Sequence, residues 1–190
     1  MIDSLYNCFQ HWSKNGAVYI TADLHLGQSK DLCQAYPNRP SDEELVKIIN
    51  TQTGKNASLI VCGDIGDNLE LISKLRANII LIKGNHDHLG EYYKDVVSEY
   101  YEGVLVISPK IILSHEPFIS PYMVNISGHN HNGPHHIYGL YNTCIDVMNY
   151  KVLNLNQFVK SGKLKECQDI HQETVDKATE RARKRGGKRK

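Results

Sequence analysis

The residues of this chain that can do chemistry fall in five short clusters. They are Asp23 and His25; Asp64 and Asp67; Asn85, His86 and Asp87; His115; and His129 and His131. Five of the ten histidines belong to the set. It offers imidazole nitrogens, carboxylate oxygens and an amide oxygen, but no thiolate. Such donors suit manganese, iron, nickel, zinc or cobalt better than calcium. Asp23 and His25 are two residues apart, as are His129 and His131. In an extended chain such side chains share a face, so each pair is expected to address one site. A single ion takes three or four protein groups, fewer than are present. Two ions sharing a carboxylate would use them all. Paired ions about 3.5–4 Å apart stabilise the attacking and leaving oxygens of in-line displacement at phosphorus.

Each cluster follows an apolar run that reads as a strand: residues 17–21, 58–62, 78–82, 111–113 and 123–126. The carboxyl ends of strands are where open α/β sheets place ligands. Between the first two runs, Ser41-Asp42-Glu43-Glu44 matches a capping box. Leu45, Ile48 and Ile49 continue it as a helix to about Thr53. Leu69, Leu71, Ile72 and Leu75 suggest a second helix, and Val96, Val97 and Tyr100 favour a third over Tyr92–Tyr101. Strand alternating with helix implies right-handed parallel units in the first half. The second half reads as hairpins, hence a mixed sheet. One joins residues 104–107 to 111–113 through Ser108-Pro109-Lys110. A last one joins Asn142–Val147 to Lys151–Leu155 with Asn149-Tyr150 at the turn. Residues 1–15 read as a short helix or irregular arm.

The chain has 190 residues, 41% of them hydrophobic, which fits one ordinary domain. We expect a single domain over 1–160 and a helical to disordered basic tail over 161–190, with a helix at Glu173–Arg185 and disorder over 186–190. Neither a secretory leader nor a membrane span is legible, so a cytoplasmic protein is expected. Five scattered cysteines without a Cys-x-x-Cys pair exclude a zinc knuckle or thioredoxin-like motif; Cys62 and Cys144 read as core. Net charge is +1, but the last ten residues carry seven Lys/Arg. Without them 15 bases face 21 acids, so the body is at −6.

The ordered series Asp23-x-His25, Gly63-Asp64-x-x-Asp67, Gly84-Asn85-His86-Asp87, His115 and Gly128-His129-x-His131 resembles the calcineurin-like metallophosphoesterase superfamily. The resemblance spans 23–131 and is specific in combination, though each motif alone is weak. It implies an α/β fold, a four-layer α/β/β/α sandwich with mixed sheets, and two divalent transition metal ions, manganese foremost. It implies that Asp23, His25, Asp64 and His131 hold the first metal. Asp64, Asn85, His115 and His129 would hold the second, with Asp64 bridging. His86 would face the leaving oxygen as general acid, oriented by Asp67, and a hydroxide between the metals would attack phosphorus. The Leu24–Gly27 stretch, Arg39-Pro40, the Glu43-Glu44 helix and Cys144–Tyr150 look closest to small phage and bacterial phosphoesterases; a phage origin would mean the host cytoplasm.

One departure narrows the substrate. Protein phosphatases of the superfamily follow Gly-Asp-x-x-Asp with Arg-Gly and carry Glu where this chain has Asp87; here Asn68-Leu69 follows Asp67. The expected partner is therefore a small phosphoester or nucleotide, with a phosphodiester favoured. The basic tail favours a nuclease as the alternative, and a non-catalytic metal-binding scaffold is a third reading. His88, His135, His136 and the tyrosines at 92, 93, 100 and 101 read first as ordinary surface and packing residues. A role in binding substrate is the alternative for each.

Overall fold

A computed structural model describes residues 2, 4–28, 36–168 and 170–186. Cys33 and the expected disorder at 187–190 lie outside the described residues. Strands β1 (Val18–Thr21), β2 (Ser58–Cys62), β3 (Asn78–Ile82) and β4 (Glu99–Tyr101) run parallel, and β10 (Leu153–Asn154) pairs antiparallel with β1. The first sheet is ordered β10-β1-β2-β3-β4. The second is ordered β5-β6-β7-β9-β8, from β5 (Leu105–Ser108), β6 (Ile111–Leu113), β7 (Val124–Ser127), β8 (His136–Ile137) and β9 (Leu140–Asn142). Within it β6, β7 and β9 are parallel, while β5 and β8 are antiparallel to their neighbours. Two mixed sheets packed with helices form the α/β sandwich that the resemblance implied.

Alternation along the strands decides the layers. Ile20, Ile60, Cys62, Ile80 and Ile82 face Ile107, Leu113, Val124, Ile126 and Tyr141 across the inter-sheet core. The intervening Leu59, Val61, Ile79 and Leu81 point outward, onto Leu45, Val46 and Ile49 of α1 (Asp42–Gln52) and Leu71 and Ile72 of α2 (Leu69–Ser73). Each such fully buried Leu or Ile contributes roughly 1.5–3 kcal/mol. Helix α1 starts where the capping box predicts: Ser41 Oγ accepts from the Glu44 amide, and the Glu44 carboxylate accepts from the Ser41 amide. The outer face of the second sheet carries Asn125, fully buried beneath the 116–123 segment through the Phe118 amide. The start of α5 (Ile170–Gly186) docks there, with Gln168 N donating to Pro121 O at 2.8 Å and Tyr122 Oη to Glu173 at 3.4 Å. Just before it, Glu166 accepts from Tyr141, His136 and the Gly139 amide. No helix among the described residues is long and apolar enough to cross a membrane.

Two sequence expectations fail. The third helix, α3, covers only Gly90–Tyr93; the chain turns, and Glu99–Tyr101 becomes the edge strand β4 beside β3. Val96, Val97 and Tyr100 have helical spacing, but their contacts are with the outer core, and pairing with β3 overrides local periodicity. Nor is there a last hairpin. The turn at Asn149-Tyr150 exists, with φ of 49° and 60°, but it carries the chain from β9 in one sheet to β10 in the other. Asn7–Ser13 forms a 3-10 helix whose Trp12 enters the inter-sheet core, and α4 spans Leu155–Lys160.

Candidate metal centre

Because β1, β2 and β3 are parallel, as are β6 and β7, their carboxyl ends gather at one edge of the sandwich. Four residues there leave ordinary backbone space: Asp23 (φ 59°), His25 (46°), Asp64 (54°) and His129 (69°). The idea that Asp23 and His25 converge as alternate residues of an extended segment is therefore wrong: both are left-handed. Such a conformation costs a non-glycine residue roughly 1–3 kcal/mol and collects at functional sites. Only Asn149 and Tyr150 share it among the other described non-glycine residues. The loops after β1 and β2 are stitched together to hold it: Asp23 N donates to Gly63 O, His25 N to Asp64 O and Leu26 N to Ile65 O. Gly84 is needed for closeness, since a Cβ there would lie 2.1 Å from Asp64 Oδ1.

The seven residues assigned to metals come together as two groups that share Asp64. On one side Asp64 Oδ2 lies 3.6 Å from His25 Nε2, Asp23 Oδ1 lies 3.7 Å from His131 Nε2, and the His25 and His131 rings are 5.3 Å apart. On the other, the same Asp64 Oδ2 lies 3.4 Å from His115 Nε2. Asn85 Oδ1 lies 2.8 Å from that nitrogen and 3.1 Å from His129 Nδ1, and the two ring nitrogens are 3.1 Å apart. Backbone amides fix the carboxylates: His86 N donates to Asp64 Oδ1, and His129 N to both oxygens of Asp23.

Divalent ions fit this donor set. Asp23 and Asp64 are 0% and 2% exposed with no Lys or Arg paired to them among the described residues. Burial pushes the Asp23 carboxyl up to about 6, the sign of a charge lacking a counter-ion. Burial likewise pulls His25 down to about 4, leaving a neutral imidazole with a lone pair at neutral pH. His115 donates its Nδ1 proton to Cys62 O at 3.0 Å. Its Nε2 then faces Asn85 Oδ1 and His129 Nδ1, a cluster of potential donor atoms for a cation. His131 Nδ1 is held by Asp146 Oδ2 at 3.1 Å. Burial pulls His131 down, but that bond and the Asp23 charge outweigh it and hold the ring above its ordinary pKa.

The two residues assigned to acid catalysis sit differently. The His86 ring is exposed and stands 5.5 Å from that of His25. Asp67 is not on it. Its carboxylate accepts from Gln28 Nε2 at 3.2 Å and its carbonyl from Tyr92 Oη at 2.7 Å. Among the described residues no hydrogen bond joins Asp67 to His86. His135 and His136 contact Asn142 O and Glu166, none of which is among the seven residues assigned to metals.

Four residues named in the sequence support the centre in ways that sequence reasoning did not assign. Asp87 accepts from three backbone amides beneath Asp64. Asp146 and Arg39 form a buried ion pair behind His131. Cys144, read as core, has ligand atoms of Asp23 and His131 within 4.8 Å. Asp146 and Cys144 stand in the quoted Cys144–Tyr150 stretch and Arg39 precedes Pro40, but nothing in the linear order says that they meet.

Two mixed sheets gather carboxylates and imidazoles at their strand ends, and the family to which the chain belongs makes it a metal-dependent phosphoester hydrolase. The sequence model of the calcineurin-like phosphoesterase family matches residues 16–185, and the chain belongs to that family. An uncharacterised protein of Methanocaldococcus jannaschii is 25% identical over 168 residues, covering 75% of this chain and 89% of the relative. The crystal structure of a protein of unknown function from Aquifex aeolicus superposes with a TM-score of 0.62 at 20% identity. That match covers 76% of this chain and 98% of the other, and it shows a shared fold.

Proposed function

We propose that the chain is a dinuclear phosphodiesterase of the cytoplasm acting on a small phosphoester or nucleotide, with manganese as the preferred ion. The observation that carries this reading is the sharing of Asp64 Oδ2 between His25 and His115. Asp23, His25, Asp64 and His131 would hold one ion, and Asp64, Asn85, His115 and His129 the other. Two bound ions supply Lewis-acid polarisation of the phosphoryl oxygens and activation of the attacking water. The chain's own part is to fix and protonate. His86, exposed beside His25 with its amide anchored on Asp64, gives a proton to the leaving oxygen. Asp67 borders that side of the site, where Gln28 and Tyr92 hold it. No arginine clamp for a phosphomonoester follows Asp67, which favours diesters over protein phosphate. A nuclease is the second reading, favoured by the exposed Arg181 and Arg183 on α5. Turnover of a panel of phosphoesters with manganese separates these: the proposal requires small diesters to outrun monoesters, phosphopeptides and nucleic acid. Preference for phosphopeptides or monoesters would defeat it.

A further inference from the structure

The seven assigned residues need rigid support if small differences in their placement are to matter, and the support is unevenly distributed. Arg39 lies at the end of the connection between β1 and α1, just before the Ser41 cap. Its side chain is fully buried, as is that of Asp146. Nη1 donates to both oxygens of Asp146, and Nη2 donates to Leu24 O at 2.7 Å. Asp146 in turn holds His131 Nδ1 at 3.1 Å, leaving Nε2 toward Asp23. Leu24 is the peptide link between Asp23 and His25. Three residues before Arg39, Tyr36 Oη donates to the carbonyl of His131 and lies 2.8 Å from Asn132 Oδ1, so the same short segment grips the His131 loop twice.

The other side of the centre has different props. His115 leans on Cys62 O, and Asn85 follows Gly84, whose amide donates to Asp87. None of these is bonded to Arg39. We infer that Arg39, acting through Asp146 and the Leu24 carbonyl, is a positioning residue for one of the two metals: that of Asp23, His25, Asp64 and His131.

The physical reason is geometric. A guanidinium presents its donors in a rigid planar fork, so one side chain can fix a carboxylate and a carbonyl at set angles. A carboxylate on the far nitrogen of a ligating histidine fixes its tautomer and ring orientation, and loss of such a partner weakens metal binding by about 10–100-fold. Lysine at 39 keeps the charge but is a single point on a flexible stem, so it cannot hold Asp146 and Leu24 O together.

This inference rests on the dinuclear reading, and the test separates the two. Metal-free full-length protein is titrated with manganese by calorimetry, and the loaded forms are compared by electron paramagnetic resonance. Wild type, Arg39→Lys, Asp146→Asn and, as reference, His131→Ala are used. We expect two classes of ion in wild type. In Arg39→Lys and Asp146→Asn one class should weaken by about 10–100-fold while the other is retained. At two equivalents of manganese, the spin-coupled pair of wild type should give way to an isolated ion in the variants, as in His131→Ala. Circular dichroism establishes that each variant is folded, and either variant suffices if the other is not. A two-ion wild type with both variants unaltered, or with both classes weakened alike, overturns the inference alone. A wild type that takes fewer than two ions overturns the dinuclear reading, and the inference with it.

Discussion

Asp87 Oδ2 accepts the backbone amide of Asp64 at 2.7 Å, so the carboxylate shared by both donor groups is itself held in place by another. The same side chain takes the amides of Ile65 at 2.9 Å and Gly84 at 2.8 Å. It thus ties the end of β3 to the loop after β2. The short reach of aspartate suits this buried position, which is 7% exposed.

Asp87→Ala should therefore destabilise the metal-free fold. Three buried amides lose their acceptor, and each such loss costs about 1–3 kcal/mol before water re-enters. We expect a net loss of about 2–4 kcal/mol, read as a lower urea midpoint at unchanged slope. Asp87→Asn, which keeps one acceptor oxygen, should fall between. A wild-type midpoint in the alanine variant would show that the loop holds without this carboxylate.

His86→Ala should retain both ions and still bind substrate, because the assigned ligands are elsewhere. Turnover of an ester with a poor leaving group should fall by about 10²–10⁴-fold. A nitrophenyl ester, whose leaving group needs no proton, should lose much less. Equal losses on both would count against proton donation and for charge stabilisation by the imidazolium.

Far from the centre, Glu99 joins β4 to the amino-terminal 3-10 helix. It accepts from Trp12 Nε1 at 3.0 and 3.1 Å, from Tyr101 Oη at 2.7 Å, and contacts His11 Nε2 at 2.8 Å. Burial pushes its carboxyl up, but these donors together outweigh burial and leave its pKa below the usual value. A carboxylate depressed in the folded state stabilises the fold above its unfolded pKa, about 4.3, and that contribution is lost as pH falls through the folded value. Glu99→Gln should cost about 1–2 kcal/mol at neutral pH and flatten the acid limb of the stability profile. Urea titrations from pH 3 to 7 decide it; parallel profiles for variant and wild type would remove Glu99 from the account.

Deleting residues 181–190 should leave turnover of a small phosphodiester unchanged, since residues 181–184 are exposed and α5 is anchored at its start. Lys177 and Lys184 are already paired with Glu173 and Glu180. If the protein binds nucleic acid at low salt, the deletion should weaken that binding and flatten its salt dependence. Loss of small-ester turnover in a folded truncation would show that the tail helps to build the site.

Local signals proved readable. The bounds of β2 and β3 follow from their unbroken apolar runs, and the start of α1 from Ser41 and Glu44. The strand-end clusters were legible because parallel strands must end together. What failed depends on distant partners. Glu99–Tyr101 carries no mark saying that β3 has a free edge. Asn149-Tyr150 announces a turn but not which sheet receives the chain after it. The left-handed φ of Asp23, His25, Asp64 and His129 runs against residue preference and is imposed by the stitched loops. Arg39 and Asp146 are 107 residues apart, and an isolated arginine before a proline gives no hint of its partner.

The pairing of Tyr19 with Asn154 bears on how the chain is made. Domains form largely as the polypeptide emerges from its amino terminus, and β1 is made before the other strands of its sheet. Its neighbour on one side, β2, follows soon; the other, β10, comes last of all the strands. Throughout the interval β1 presents an unsatisfied edge, the kind that recruits strands from other chains. Residues 153–154 thus act as a late seal on a nascent sheet. A chain cut short before them lacks the strand that covers this edge of β1.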